Sequence, residues 1–180
     1  ELARRDFALA KKALRLSSQA MGAMMTELGL SSGCSPVLDL VFETTSAVIG
    51  ARSFGPDPDV IAALGREVVY GLLETGNMPV MKHIPGHGRA TADSHFRLPT
   101  VDTPREELER TDFAAFQPLA DLPMAMTAHV VFSALDPAQP ATTSATIIRQ
   151  VIRGAIGFQG LLMSDDVSMN ALAGSITERT

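Results

Sequence analysis

Four short apolar runs, each carrying or closing on polar side chains, constrain this chain more than anything else in it. They are residues 34–42 with Asp39, 78–84 with Lys82 and His83, 124–132 with His129, and 161–165 leading into Asp165 and Asp166. Runs this long without polar alternation suit strands buried on both faces, as in a parallel sheet. Stretches of helical period lie between them. Residues 2–28 place Phe7, Ala10, Leu14, Met21, Met24 and Leu28 on one face, with Met24 and Met25 as core filler and Gly29 as the terminating residue. Asp57-Pro58 reads as a cap followed by proline at the first helical position. Ile61, Leu64, Val68 and Leu72 then mark a helix face, and Gly76 ends it. Thr103-Pro104-Arg105-Glu106 has the form of a capping box, and Ser144 precedes a helix bearing Ile147, Ile148, Val151 and Ile152. Gly157-Phe158-Gln159-Gly160 turns the chain into the last run. Such alternation builds right-handed βαβ units on a parallel sheet.

The fold class is therefore α/β: a (β/α)8 TIM-type barrel or an open sheet, both of which build sites at the carboxyl ends of the strands. A complete barrel takes about 250 residues. The chain has 180 residues and four clear strands, so it reads as the central part of one barrel domain over 1–180, truncated at both ends. A further strand at 47–52 is the other way to raise the count. An open dinucleotide-binding sheet is poorly supported: Gly86-His87-Gly88-Arg89-Ala90-Thr91 has Thr91 at the third glycine position. No phosphate-binding loop or Gly-x-Ser-x-Gly elbow occurs in the sequence. The net charge of −5, without clusters of Lys and Arg, argues against nucleic acid or an acidic membrane as partner. No apolar run reaches the roughly 18–20 residues of a membrane span. Residues 1–15 do not resemble a signal peptide, and a first residue other than Met fits removal of an N-terminal part. A lone cysteine, Cys34, excludes an internal disulfide and fits a reducing compartment.

Three groups of residues could carry chemistry. Lys82-His83 beside Gly86-His87-Gly88 can donate to hydroxyls, or can simply satisfy loop backbone. In Asp93-Ser94-His95 the carboxylate can fix the imidazole tautomer and raise its basicity, making a general acid and base near neutral pH; a surface loop pair is the plainer reading. In Ser164-Asp165-Asp166 successive side chains alternate, so one carboxylate can face a pocket as a nucleophile while the other faces the barrel wall or loop; capping of the segment that starts near Ser168 is the plainer reading. His83-x-x-x-His87 has the spacing of a zinc helix. Pro85 and Gly86 between the two histidines deny them a common helical turn, so neither metal nor other cofactor is expected.

In sum these motifs resemble glycoside hydrolase family 3, in its bacterial β-N-acetylhexosaminidase branch. The resemblance runs from about residue 30 to 170. It is carried by Ser35-Pro36-Val37-Leu38-Asp39, Arg52-Ser53-Phe54-Gly55, Lys82-His83-Ile84-Pro85-Gly86-His87-Gly88, Asp93-Ser94-His95, Met126-Thr127-Ala128-His129 and Ser164-Asp165-Asp166. It implies a retaining hydrolase that removes terminal β-linked N-acetylglucosamine, with muropeptides of peptidoglycan recycling as substrate and the bacterial cytoplasm as location. On that resemblance Asp165 is the nucleophile, His95 the acid/base with Asp93 as its partner, and Arg52, Lys82 and His83 bind the sugar. Departures exist: Ile84 stands where the family has an aromatic residue, Trp is absent, Tyr70 is the lone tyrosine, and no Asp-x-Glu-Gly-Gly segment occurs. A fragment of a barrel exposes sheet edges that invite pairing with another copy, and on its own it is expected to turn over poorly. A metal-dependent barrel hydrolase and a non-catalytic barrel scaffold are the alternatives.

Overall fold

Asp6 divides the first expected helix in two. In the computed structural model, which describes residues 2–47, 49–91, 97–169 and 171–172, helix α1 spans Leu2–Arg5 and helix α2 spans Phe7–Glu27. Asp6 adopts extended backbone and its carboxylate accepts from the Leu9 amide at 2.9 Å, which starts α2 anew. Gly29 follows at φ 76°, as a C-terminal glycine should.

The apolar face expected of this helix is buried only in part. Of the expected face Ala10 alone is buried; Met24 is 65% and Leu28 76% exposed, and Ser18 and Gly22 are buried instead. The reason is a close crossing with helix α3, Pro58–Leu73. A Cβ on Gly71 would lie 2.5 Å from the Arg15 carbonyl oxygen and 2.6 Å from Ser18 Cβ. Small side chains bring the two backbones together here, and a hydropathy pattern does not register them. Lys11–Glu67 at 3.0 Å and Arg15–Glu74 flank the crossing. Helix α3 itself starts as expected: Asp57 accepts from the amides of Asp59 (2.9 Å) and Val60 (3.1 Å).

The sheet is parallel. Strand β1 (Ser32–Gly33), β2 (Met78–Ile84), β4 (Met124–Thr127) and β6 (Leu161–Met163) lie side by side in that order. Strands β3 (Thr100–Val101) and β5 (Val131–Phe132) make a separate parallel pair. The arc of four belongs to a TIM-barrel-type α/β wall, with one core joining Leu38, Met81 and Ala125 to Ile61, Val69, Phe113, Phe116 and Phe158.

Several expectations are corrected in detail. The run 34–42 is not one strand: pairing is confined to Ser32–Gly33 and a bridge between Val37 and Lys82. The run 124–132 divides between β4 and β5, because Ala128 to Val130 leave the sheet. Residues 50–52 form a 3₁₀ turn rather than a strand. The capping box at Thr103 does not form; Pro104 caps helix α4 (Arg105–Arg110) without a side-chain bond, and the Thr103 hydroxyl faces the Arg89 guanidinium at 3.5 Å. Ser144 does cap its helix, accepting from the Ile147 amide at 3.1 Å. That helix, Ile147–Ala155, is wound wider than an α-helix, with Ile156 donating to Val151 five residues back at 2.8 Å.

Candidate active site

The carboxyl ends of β2, β4 and β6 converge with the segment after β1. Asp39 sits at the centre of this meeting point, fully buried. Its carboxylate accepts at one oxygen from the backbone amides of His83 (3.3 Å) and His87 (2.7 Å). Its other oxygen lies 2.6 Å from Nδ1 of His83. Burial, the largest influence on Asp39, opposes its ionisation. The His83 imidazole at contact distance and the neighbouring His87 outweigh it, and the carboxyl stays below its ordinary value of 3.8. In the sequence Asp39 stands out as an acid near a strand end and as the close of the Ser35-Pro36-Val37-Leu38-Asp39 motif, with no role assigned to it. The signal for a role is that a carboxylate inside an apolar run must have donors waiting for it.

His83 turns its other nitrogen toward Asp165: Nε2 lies 3.8 Å from Asp165 Oδ2. Asp165 is partly exposed, just beyond β6, and its other oxygen accepts from the Asp166 amide at 2.8 Å. Asp166 caps the following turn, the plainer reading of the motif: its carboxylate accepts from the Ser168 amide at 2.8 Å. Adjacent carboxylates thus divide between a site and a turn, as the alternation of side chains requires.

His129 closes the rim. Its Nε2–H donates to the Asp166 carbonyl at 3.1 Å, which leaves Nδ1 to accept from the Thr142 hydroxyl at 2.7 Å. Burial holds the imidazoles of His87 and His129 below their ordinary value of 6.5.

The glycines of the loop after β2 are required by contact. A Cβ on Gly88 would collide with the Leu40 carbonyl group, and Gly86, at φ 139°, packs against Asp112. Beneath this loop Arg89 Nε pairs with the buried Asp112 carboxylate at 2.7 Å, while its guanidinium lies 4.3 Å over the Phe42 ring.

Of the site residues expected from sequence, the structure brings Asp165 and His83 together. Lys82 is half-buried on β2, where its backbone bonds to Pro36 and Leu38. Arg52 is exposed at the end of its 3₁₀ turn. Asp93 and His95 lie outside the described residues. Among the described residues no group of three or more His, Cys, Asp or Glu side chains could hold a metal ion. No described helix is long and apolar enough to cross a membrane.

A parallel arc with an acid and an imidazole at the carboxyl ends of its strands defines an α/β barrel wall that builds its site at that rim. The chain belongs to glycosyl hydrolase family 3: the profile of the family's N-terminal domain matches residues 4–179. It is 42% identical over 165 residues to a beta-hexosaminidase of Alkalilimnicola ehrlichii, an alignment that covers 88% of this chain and 47% of the relative. The crystal structure of NagZ from Neisseria gonorrhoeae in complex with N-trifluoroacetyl-D-glucosamine superposes with a TM-score of 0.89 at 34% identity, covering 99% of this chain and 52% of that one. A family 3 β-N-acetylglucosaminidase from Paenibacillus sp. str. FPU-7 gives a TM-score of 0.85 at 36% identity, over 89% of this chain and 31% of that one. The chain thus spans about half the length of the curated relatives it matches.

Proposed function

We propose that the protein containing this chain is a retaining glycosidase that removes terminal β-linked N-acetylglucosamine. Asp165 is its nucleophile and a His95–Asp93 dyad its acid/base. The observation that carries this reading is the Asp165 carboxylate at the carboxyl end of β6, 3.8 Å from a buried imidazole, in a chain whose relatives are named beta-hexosaminidases. In the first step an Asp165 oxygen attacks the anomeric carbon while His95 protonates the departing glycosidic oxygen, giving a glycosyl ester. In the second, His95 takes a proton from water, the resulting hydroxide attacks the same carbon, and Asp165 leaves as carboxylate. Lys82, His83 and Arg52 hold the sugar. Peptidoglycan-derived muropeptides are the substrate and the bacterial cytoplasm the place of action. The 180-residue segment is one barrel domain in part, and the whole protein carries the turnover.

The test is hydrolysis of an aryl N-acetyl-β-glucosaminide beside the matching β-glucoside by the full-length protein and its Asp165→Ala variant. Activity on the N-acetyl substrate, lost in the variant, is expected. A slow 5-fluoro glycosyl substrate should leave its sugar on the peptide holding Asp165, read by mass spectrometry. Undiminished turnover in Asp165→Ala, or activity abolished by a chelator, overturns the assignment.

A further inference from the structure

Asp39 has no role in the chemistry described so far, yet it is the most completely buried charge in the site. We propose that Asp39 is a positioning residue that fixes the tautomer of His83, so that Nδ1 carries the proton and Nε2 is presented to the substrate beside Asp165 as an acceptor.

The argument is one of donors and acceptors. An ionised carboxylate can only accept. One oxygen of Asp39 is occupied by the amides of His83 and His87. The other lies 2.6 Å from His83 Nδ1, so that nitrogen must be the donor. In a neutral ring Nε2 then holds a lone pair. Its distance of 3.8 Å from Asp165 Oδ2 is too long for a direct hydrogen bond. A hydroxyl placed between them can donate to Nε2 without drawing on the Asp165 oxygen that attacks. The two backbone bonds hold Asp39 in place, so the tautomer does not depend on substrate being present. The same carboxylate joins the end of β2 to the loop carrying His87, which keeps the ring from rotating when the site is empty. The tautomer is a property of this chain's own residues; only its consequence for turnover rests on the glycosidase reading.

Asp39→Asn separates positioning from mere support. The amide oxygen can keep both backbone bonds, while the amide nitrogen faces Nδ1 and donates to it. That moves the imidazole proton to Nε2 and turns an acceptor into a donor. In the full-length protein labelled with ¹⁵N-histidine, the His83 signals, assigned by their loss in His83→Gln, should show a protonated Nδ1 in the wild type. In Asp39→Asn they should show a protonated Nε2. With the aryl N-acetyl-β-glucosaminide, Asp39→Asn should lose about 10–100-fold in kcat/KM, the range for losing an imidazole's orienting partner. The loss should vanish when the substitution is made in the His83→Gln background. A wild-type ring with Nδ1 unprotonated overturns the proposal, and so does an unchanged tautomer in Asp39→Asn or additive losses in the double variant. If Asp39→Asn fails to fold, the wild-type spectrum alone decides. A protein silent on the hexosaminide but with Nδ1 protonated would sink the glycosidase reading and leave the Asp39 assignment standing.

Discussion

Replacing Arg89 with Met should destabilise the protein by about 3–5 kcal/mol at neutral pH, the cost of leaving a buried charge without its partner. Asp112 is 1% exposed, and its Oδ2 accepts from Arg89 Nε at 2.7 Å and from the Thr111 hydroxyl at 2.8 Å. Its Oδ1 has no hydrogen-bond partner among the described residues. Burial already pushes this carboxyl above its ordinary 3.8, with the Arg89 guanidinium as the main opposing influence. Methionine keeps an unbranched apolar stem against Phe42 and removes only the charge and its donors. Without the guanidinium the Asp112 value rises further, and the folded state then binds a proton that the unfolded chain has released. The loss of stability is therefore complete above the raised value and shrinks as pH falls toward 3.8. Urea unfolding of the full-length protein and of Arg89→Met at pH 7.5 and pH 4.5 measures both parts. Urea is preferred to a guanidinium salt because it does not screen the pair. Adding Asp112→Leu should return most of the loss, since an apolar pair of similar volume carries no desolvation penalty. A difference under about 1 kcal/mol at pH 7.5, or one that is no smaller at pH 4.5, refutes the reasoning.

Gly88→Ala forces the loop after β2 off the Leu40 backbone, where a Cβ would stand 2.9 Å from the carbonyl carbon and 3.0 Å from the nitrogen. It should cost about 1–3 kcal/mol and lower turnover, and a thermal midpoint and activity equal to the wild type would count against it. Mild acid should also weaken the fold. His87 and His129 are held below 6.5 by burial, so between their folded values and 6.5 the unfolded chain binds more protons and stability falls with pH. Asp39, held below 3.8 when folded, adds to the loss at lower pH, whereas Asp112 works against it. A thermal midpoint no lower at pH 5.5 than at pH 7.5 would contradict this.

The sequence was legible where one signal decides the outcome. Strand β2 falls on residues 78–84 because an unbroken apolar run is fenced by Gly76-Asn77 and by Pro85. Helix α3 follows from Asp57-Pro58 and a clean apolar face. The misreadings share a different cause. Apolar runs report burial and not backbone direction, so 34–42 and 124–132 read as strands although each bends out of the sheet to carry Asp39 or His129 inward. The contact face of α2 stayed hidden because Ser18, Gly22 and Gly71 act through being small. In the site, Asp165 was expected from its motif and its strand end, and the structure sets it 3.8 Å from His83, while Asp166 caps the turn at Ser168. Asp39 was not found, since its role depends on amides nearly fifty residues away at His83 and His87.

The order of strands in the main sheet has a bearing on how the protein is made. β1, β2, β4 and β6 stand side by side in the order in which a ribosome emits them. Ser32 pairs with Met78, Val80 with Met124 and Met124 with Leu161, so each new strand arrives about 40 residues after the edge that receives it. No strand has to wait for one beyond its neighbour, and none must be inserted between two already paired. At synthesis rates of about 5–20 residues per second the growing edge stands open for a few seconds at a time, each time on the newest strand. Vectorial growth of this kind moves one edge of the sheet at a time while the other stays at β1, and the intervening helix, already emerged, is there to cover the face of the strand before it.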